Sequence, residues 1–379
     1  MGHTLLLGHD GTVWGTGLNS FGQLGIDPTN STTITNFVQI ASGRAKAVAA
    51  GGEHSLILRQ DGSVWLAGRN NYGQLGDGSN TDRHRFVLVM QGDAKAVVAG
   101  IHNGMVVKTD GSMWATGYNL YGQLGDGTTV DRNRFFRVIP DGVEAVAAGG
   151  EHSLMLKQDG SVWVAGSNRY GQLGDGPTRA QRSFVQVMSG GVEAIAAGIY
   201  HSMILQQDGG VLVSGENKDG QLGAGSVDRK NRFTRVIVSG VKALAAGNYH
   251  SIVLGRGGSV WATGRDSLGQ LGTGLKKVTN RFVKVIPAGA QTVATGGRHN
   301  MVLKHDGSLW ATGANLYGQL GDGSKIAKNL FECVLPSPEG GVWCPVHTHT
   351  QTHTHYREYR AHTHTNPIDW TYILYQLDN

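Results

Sequence analysis

The tetrapeptide Gly-Gln-Leu-Gly begins at Gly22, Gly73, Gly122, Gly171, Gly220, Gly269 and Gly318; the first step is 51 residues and the next five are 49. A longer string, NLYGQLGDG, occupies residues 119–127 and recurs letter for letter at 315–323, four steps later. A chain that holds one period this closely is an array of like units. Each unit is too small to bury its own apolar face and must do so against its neighbours.

The order inside a unit narrows the kind of array. In residues 143–188, VEAVAAG is a run of small and β-branched residues, and HSLMLKQDGSVWVAG is two apolar runs around Asp159-Gly160. An Asp-Gly pair between such runs predicts a type I′ hairpin, whose two central residues need positive φ. Asp10, Asp61, Asp110, Asp208 and Asp306, each followed by Gly, repeat the signal, and Gly257-Gly258 serves in the sixth unit. A Gly-punctuated loop, SNRYGQLGDG, and a fourth run, RSFVQVM, complete the unit. No stretch reads as a long amphipathic helix. Gly accounts for 59 of 379 residues, about twice the usual share, as many tight turns require.

Short antiparallel strands in seven units predict an all-β fold, a seven-bladed β-propeller of four-stranded antiparallel blades, because a radial ring leaves only short edges. The propeller is expected over residues 1–336, with an irregular His/Thr-rich tail over 337–379. Trp14, Trp65, Trp114, Trp163, Trp261 and Trp310 share one position, with Leu212 in the fifth unit; large rings there would fill the space between blades. Small residues such as those of AVAAG suit a crowded innermost strand. Only six such strands are evident, ending at Gly51, Gly100, Gly149, Gly198, Gly247 and Gly296. The ring is therefore expected to close by contacts between blades, with the seventh blade incomplete or patched by residues 341–346.

Several recurring residues could carry chemistry. The Gly-Gln-Leu-Gly loops lack the following helix and Lys of a phosphate cradle, so their glycines read as turn formers, the Leu as a core plug and the Gln as a local backbone partner. His54, His152, His201, His250 and His299 share a position, with His3 in the first unit and Asn103 in the third. Equivalent residues of neighbouring blades lie too far apart for the ~2 Å bonds of a metal, so a hydrogen bond to backbone at the inner edge is expected. Asn103 suits that work better than proton transfer. The Asp of each GDG (Asp77, Asp126, Asp175, Asp322) reads as a turn former. No paired carboxylates, Ser-His-Asp set or Cys-His pair stands out.

The segments before the recurring Phe of the fourth strand (Phe86, Phe135, Phe184, Phe233, Phe282, Phe331) are basic. Arg83, Arg132, Lys230 and Lys328 share one position, and Arg85, Arg134, Arg232 and Arg281 another, two residues on. Equivalent loops emerge on one side, so these side chains form a basic arc for an acidic protein, nucleic acid or anionic lipid, or simply solvated charge that deters edge pairing. Gln181 and Ser183 interrupt the arc, and Asp82, Asp131 and Asp228 offset it.

The tail alternates His and Thr. His347, His349, His353 and His355 would fall on one face of an extended strand and form a weak site for Zn²⁺ or Ni²⁺; a dinucleotide repeat read in one frame, after a frameshift, gives the same pattern. No cofactor is otherwise implied. Two cysteines, Cys333 and Cys344, make no disulfide framework, which points to a reducing cytoplasmic or nuclear setting. No apolar run approaches ~18 residues, no secretory leader is evident, and the net charge of +5 permits an acidic partner without demanding one.

Units such as AGGEHSLILRQDGSVWLAGRNNYGQLGDG resemble the repeat of the regulator of chromosome condensation (RCC1-type) family, a seven-bladed β-propeller. That resemblance implies a monomeric, non-catalytic protein-interaction scaffold. It also brings two alternatives: a guanine-nucleotide exchange factor or regulator for a small GTPase, and a substrate-recruiting propeller like the accessory domains of HERC-type ubiquitin ligases. Exchange-factor members carry a wedge-like β insertion, for which the constant 49-residue step leaves no room. The family's plant light receptor uses a GWRHT-type string, where this chain has GGEHS, GIYHS and GNYHS.

Overall fold

A computed structural model describes residues 2–29, 31–336, 346–348 and 352–353. Seven antiparallel sheets form the blades, which span residues 3–41, 45–90, 94–139, 143–188, 192–237, 241–286 and 290–335 and are numbered 1 to 7. Blade 4 is representative: an inner strand Val143–Ala148, a second His152–Lys157, a third Val162–Gly166 and an outer Gln181–Met188, each paired with the next in sequence. The Ala-rich inner strand is almost wholly buried and the outer strand about half exposed. The expected four-strand unit is thus present.

The hairpin differs from expectation. Gly160 N–H bonds the Lys157 carbonyl at 2.9 Å and Lys157 N–H bonds the Ser161 carbonyl at 2.9 Å. Gly160 has φ +78, whereas Asp159 is not among the positive-φ residues. This is a type I turn closed by a left-handed Gly, a three-residue loop instead of the two-residue I′ turn. Asp159 earns its place through its side chain: Oδ1 accepts from Ser161 N–H at 2.8 Å, and Ser161 Oγ accepts from Trp163 Nε1 at 3.0 Å.

Each apolar cluster spans two blades. Leu154, Leu156 and Leu173 of blade 4 pack with Val192, Ile195 and Ile204 of blade 5. The tryptophans lie where expected, each against the preceding blade: Trp65 on blade 1, Trp114 on blade 2, Trp163 on blade 3, Trp261 on blade 5 and Trp310 on blade 6, with Leu212 on blade 4. Trp14 sits on blade 7 with Leu6, Met301 and Leu309, so the first and last blades meet as the others do.

The Gly-Gln-Leu-Gly loop supplies the joint. Its Leu is buried in all seven copies. Gln172 Oε1 accepts from Tyr170 N–H at 3.0 Å, and Asn168 Oδ1 from Leu173 N–H at 3.0 Å, so the loop is held by its own side chains. Its second Gly receives the Phe of the next blade: a Cβ on Gly125 would lie 2.3 Å from the Phe184 ring, and one on Gly321 would lie 2.2 Å from Phe37. Phe37 is the seventh member of the Phe set, one 49-residue step before Phe86.

Closure needs a correction. The blade without an inner strand of its own is blade 1, built from His3–Leu7, Val13–Leu18 and Thr33–Ala41; blade 7 has Ala290–Thr295. A strand Val346–Thr348 pairs antiparallel with His3–Leu7 in the missing place, three residues where other blades have six. Of the expected patch, residues 341–345 lie outside the described residues and Val346 begins the strand. A second short strand, Thr352–His353, adds a fifth strand to blade 5 at its inner edge.

Candidate docking face

A four-strand meander places its connections alternately on two faces. Loops joining inner to second strands, and third to outer strands, share one face; the Asp-Gly hairpins and the links between blades share the other. The first, called here the loop face, carries the Gly-Gln-Leu-Gly loops and the start of every outer strand, so the two basic sets do share a side.

Three of the eight residues of that arc are engaged internally. Arg83, Arg132 and Lys328 reach Asp77, Asp126 and Asp322 of their own loops at 2.6, 2.6 and 3.6 Å. In blade 4, Gln181 Nε2 donates to Asp175 Oδ2 at 3.1 Å, so the interruption keeps the bond and drops the charge. Burial alone would raise the Asp126 carboxyl, but hydrogen bonds from Arg132, Thr128 and Asn119 outweigh it and hold the group below its ordinary range. These aspartates are turn formers, as Thr128 N–H to Asp126 Oδ1 shows, and counter-ions as well. Arg85, Arg134, Arg232 and Arg281 are exposed. The guanidiniums of Arg134, Arg232 and Arg281 lie over Gly78, Gly176 and Gly225, the last glycine of the preceding blade's loop, so one face of each planar head covers a joint while the residue stays exposed.

The histidines form a belt, and their partner is not backbone. His152 Nε2 meets Ser202 Oγ at 2.8 Å and His201 Nε2 meets Ser251 Oγ at 3.0 Å, each on the next blade. Ser202 Oγ donates to the Gln172 carbonyl at 2.7 Å, leaving its lone pairs to the imidazole N–H. His250 bonds Asn300 at 2.8 Å, His3 bonds Ser55 at 2.9 Å, and His299 bonds Thr4 at 3.0 Å across the closing joint. In blade 3 Gly104 stands where this Ser would face His54. Desolvation lowers His152, His201 and His299 to about 3 and His250 to about 4. They are neutral struts.

Of the tail histidines, His347 lies in the closing strand opposite Leu5 and His353 opposite Ile195 on a different blade; His349 and His355 lie outside the described residues. The backbone thus separates two of the four. Among the described residues no group of three or more His, Cys, Asp or Glu is placed to hold a metal ion.

What the sequence reading missed is an aromatic and arginine rim around the axis of the loop face. Tyr72 packs on His102 at 5.2 Å and on Tyr118 at 4.8 Å, Tyr170 packs on Tyr200 at 4.8 Å, Arg69 lies over Phe21 at 4.8 Å, and Arg265 lies over Tyr249 at 5.4 Å. The rings are half-buried. Burial, with neighbouring tyrosines, pushes Tyr118 up to about 12; burial, with Glu151 beside it, pushes Tyr200 to about 12. The aromatic before Gly-Gln-Leu recurs visibly at Phe21, Tyr72, Tyr121, Tyr170 and Tyr317. Its partners come from a different loop of the next unit, which only folding brings near.

Blades fastened edge to edge by one repeated joint define a closed repeat propeller. The RCC1-like domain family matches residues 94–343, and the regulator of chromosome condensation (RCC1) repeat matches 10–58, 61–102 and 45–74. This chain belongs to the RCC1-like repeat family. It is similar to the ultraviolet-B receptor UVR8 of Arabidopsis thaliana, 39% identical over 82 residues, 21% of this chain and 19% of the receptor. It is also similar to mouse Protein RCC2, 40% identical over 81 residues, 21% of this chain and 16% of that protein. The matches span less than a fifth of those relatives. Among solved structures, yeast RCC1 (Prp20) bound to Kap60 superposes with a TM-score of 0.77 at 17% identity, over 89% of this chain and 84% of that one. Human WBSCR16 superposes at 0.76 and 22% identity, over 89% and 94%. These likenesses show the fold. Among the described residues no helix is long and apolar enough to cross a membrane.

Proposed function

We propose that the chain is a non-catalytic scaffold that binds another protein through the aromatic and arginine rim of its loop face. One observation carries the reading: Tyr and Arg cluster, half-buried, around the axis, and these are the residue types that dominate the energetics of protein interfaces. The relatives favour the class, since Prp20p of Saccharomyces cerevisiae is described by its binding to Gsp1p and histones. An intracellular setting, cytoplasmic or nuclear, goes with the reading, and Cys333 is a free exposed thiol. Exchange on a small GTPase is the weaker alternative, because units held at a 49-residue step offer no inserted wedge to reach a nucleotide.

The test is parallel affinity capture with quantitative mass spectrometry on wild type, a Tyr118→Ala/Tyr200→Ala variant and an Asp110→Asn/Asp159→Asn control on the opposite face. Partners should fall at least tenfold in the first variant and persist in the second. The reverse pattern overturns the assignment. Accelerated nucleotide release from a small GTPase would replace it with the exchange reading.

A further inference from the structure

Away from the axis, the loops of blades 5 to 7 carry a second surface of another composition. Leu275 is 75% exposed, Ile326 70%, Val227 54%, Leu330 53% and Val278 46%. Single exposed aliphatic residues are ordinary; five grouped on the loops of three successive blades mark a surface. Cations are threaded between them. Residues 273–281 hold Lys276, Lys277 and Arg281 with no acid, and the blade 7 loop holds Lys325 beside Lys328, whose charge is met by Asp322 and Glu332. Lys276, Lys277 and Lys325 are exposed, and among the described residues neither Lys276 nor Lys277 is in an ion pair.

These residues form one crescent, because each loop leans on the next blade. The blade 5 loop lies under Arg281 of blade 6 through Gly225, and the blade 6 loop meets Leu330 of blade 7, whose side chain would stand 3.3 Å from a Cβ on Gly274. The blade 7 loop reaches blade 1, where Lys325 Nζ donates to Thr33 Oγ1 at 2.9 Å. The contrast with blades 2 and 3 is one of residue type at one position. There Asp82 and Asp131 accept from Asn70 and Asn119 N–H, each at 2.7 Å. At the same position of the repeat, blade 6 has Val278 and blade 7 Ala327. An anionic cap has given way to apolar surface.

We propose that this crescent docks on an anionic lipid bilayer. A bilayer interface takes aliphatic tips into the acyl boundary while lysines extend to headgroup phosphates. The composition separates this surface from the rim: it has no aromatic anchor and is rich in Lys, which protein interfaces disfavour at their centres. Its separate aliphatic tips, with Lys276 and Lys277 between Leu275 and Val278 and Lys325 beside Ile326, fit a soft charged surface better than a shaped partner. Charge complementarity selects anionic over neutral lipid. This surface stands apart from the protein-docking rim, and either can fail alone.

The test is co-sedimentation of the full chain with phosphatidylcholine vesicles containing either no phosphatidylserine or about a third, at two salt concentrations. Binding is expected to the anionic vesicles only and to weaken as salt rises. Lys276→Ala/Lys277→Ala should reduce partitioning roughly 25-fold, about fivefold per cation. Leu275→Ser/Ile326→Ser should reduce it at least tenfold at unchanged charge. All four side chains are exposed, and unchanged thermal unfolding of the variants confirms that the fold is intact. Equal binding to neutral vesicles, no binding, or variants that bind as wild type overturn the proposal. So does equal binding to poly-glutamate that ignores the aliphatic substitutions, which would make the crescent a site for an acidic protein.

Discussion

The joints between blades and the loops above them obey opposite rules. At a joint, Gly125 receives Phe184 and Gly321 receives Phe37, with 196 residues between the two glycines and the same geometry. A closed ring requires every blade to meet its neighbour on equal terms, so one solution is repeated. The loops face solvent, closure places no demand on them, and they diverge: Asp82 in blade 2, Val278 in blade 6. Sameness therefore marks structure, and difference marks where binding can reside.

The largest expected break in the joints is chemical. His152, His201 and His299 titrate near 3 and His250 near 4 when folded, against about 6.5 unfolded. The unfolded chain takes up these protons first, so stability is complete above the unfolded value and falls as pH drops from 6.5 toward 4. Each histidine contributes about 1.4 kcal/mol per pH unit in that window. Urea midpoints at pH 7, 6 and 5 should fall steeply, and His152→Asn, the residue type at Asn103, should shallow the slope. A flat profile between pH 7 and 5 would show that the belt is not buried.

Next come the glycines. Gly125→Val places a branched side chain at φ +74 against the Phe184 ring, and strain and overpacking together should cost about 3 kcal/mol. Gly321→Val, at φ +72, should cost the same in chemical denaturation if the ring is closed. A much smaller loss at Gly321 would mean that blades 7 and 1 are joined more loosely than the rest.

The ion pairs are weaker and can be sharpened by substitution. The Asp126 carboxylate is fully buried and the Arg132 side chain 32% exposed. Arg132→Ala leaves a buried carboxylate short of a partner and should cost about 1–3 kcal/mol. Arg132→Gln should recover most of that, because Gln181 already bonds Asp175 in this way. Equal losses in the two variants would show that charge, not hydrogen bonding, holds the loop.

How legible each feature was follows from the range of its contacts. Strands, turns and the buried Leu of Gly-Gln-Leu-Gly are local, so spacing alone reveals them. Pairings between blades are not local: Gly125 and Phe184 are 59 residues apart and His152 and Ser202 50, so the Phe and His sets were visible as columns without their partners. Asp126 and Arg132 are six residues apart, yet in the sequence they look like a turn former and an exposed cation, because their meeting depends on the loop's path. The missing inner strand could be counted, but three residues carry no alternation by which to place it. The aromatic rim joins two loops of neighbouring units: the aromatic before Gly-Gln-Leu recurs in five units, but nothing in the spacing ties it to its partners in the next unit.

The smallest expected effect concerns the two identical strings. Leu120 is 56% exposed and Leu316 68%, where the other units have Ser20, Asn71, Arg169, Lys218 and Ser267. A joint residue would not vary so freely, and a Leu more than half exposed has little stability to lose. Leu120→Ser and Leu316→Ser should each move the unfolding free energy by less than about 0.5 kcal/mol. Leu120 adjoins Tyr121 on the loop face, so a fall in partner recovery without a fall in stability would place it in the working surface. A stability loss of 2 kcal/mol or more at either site would instead return that Leu to the joint and blur the line between the two regions.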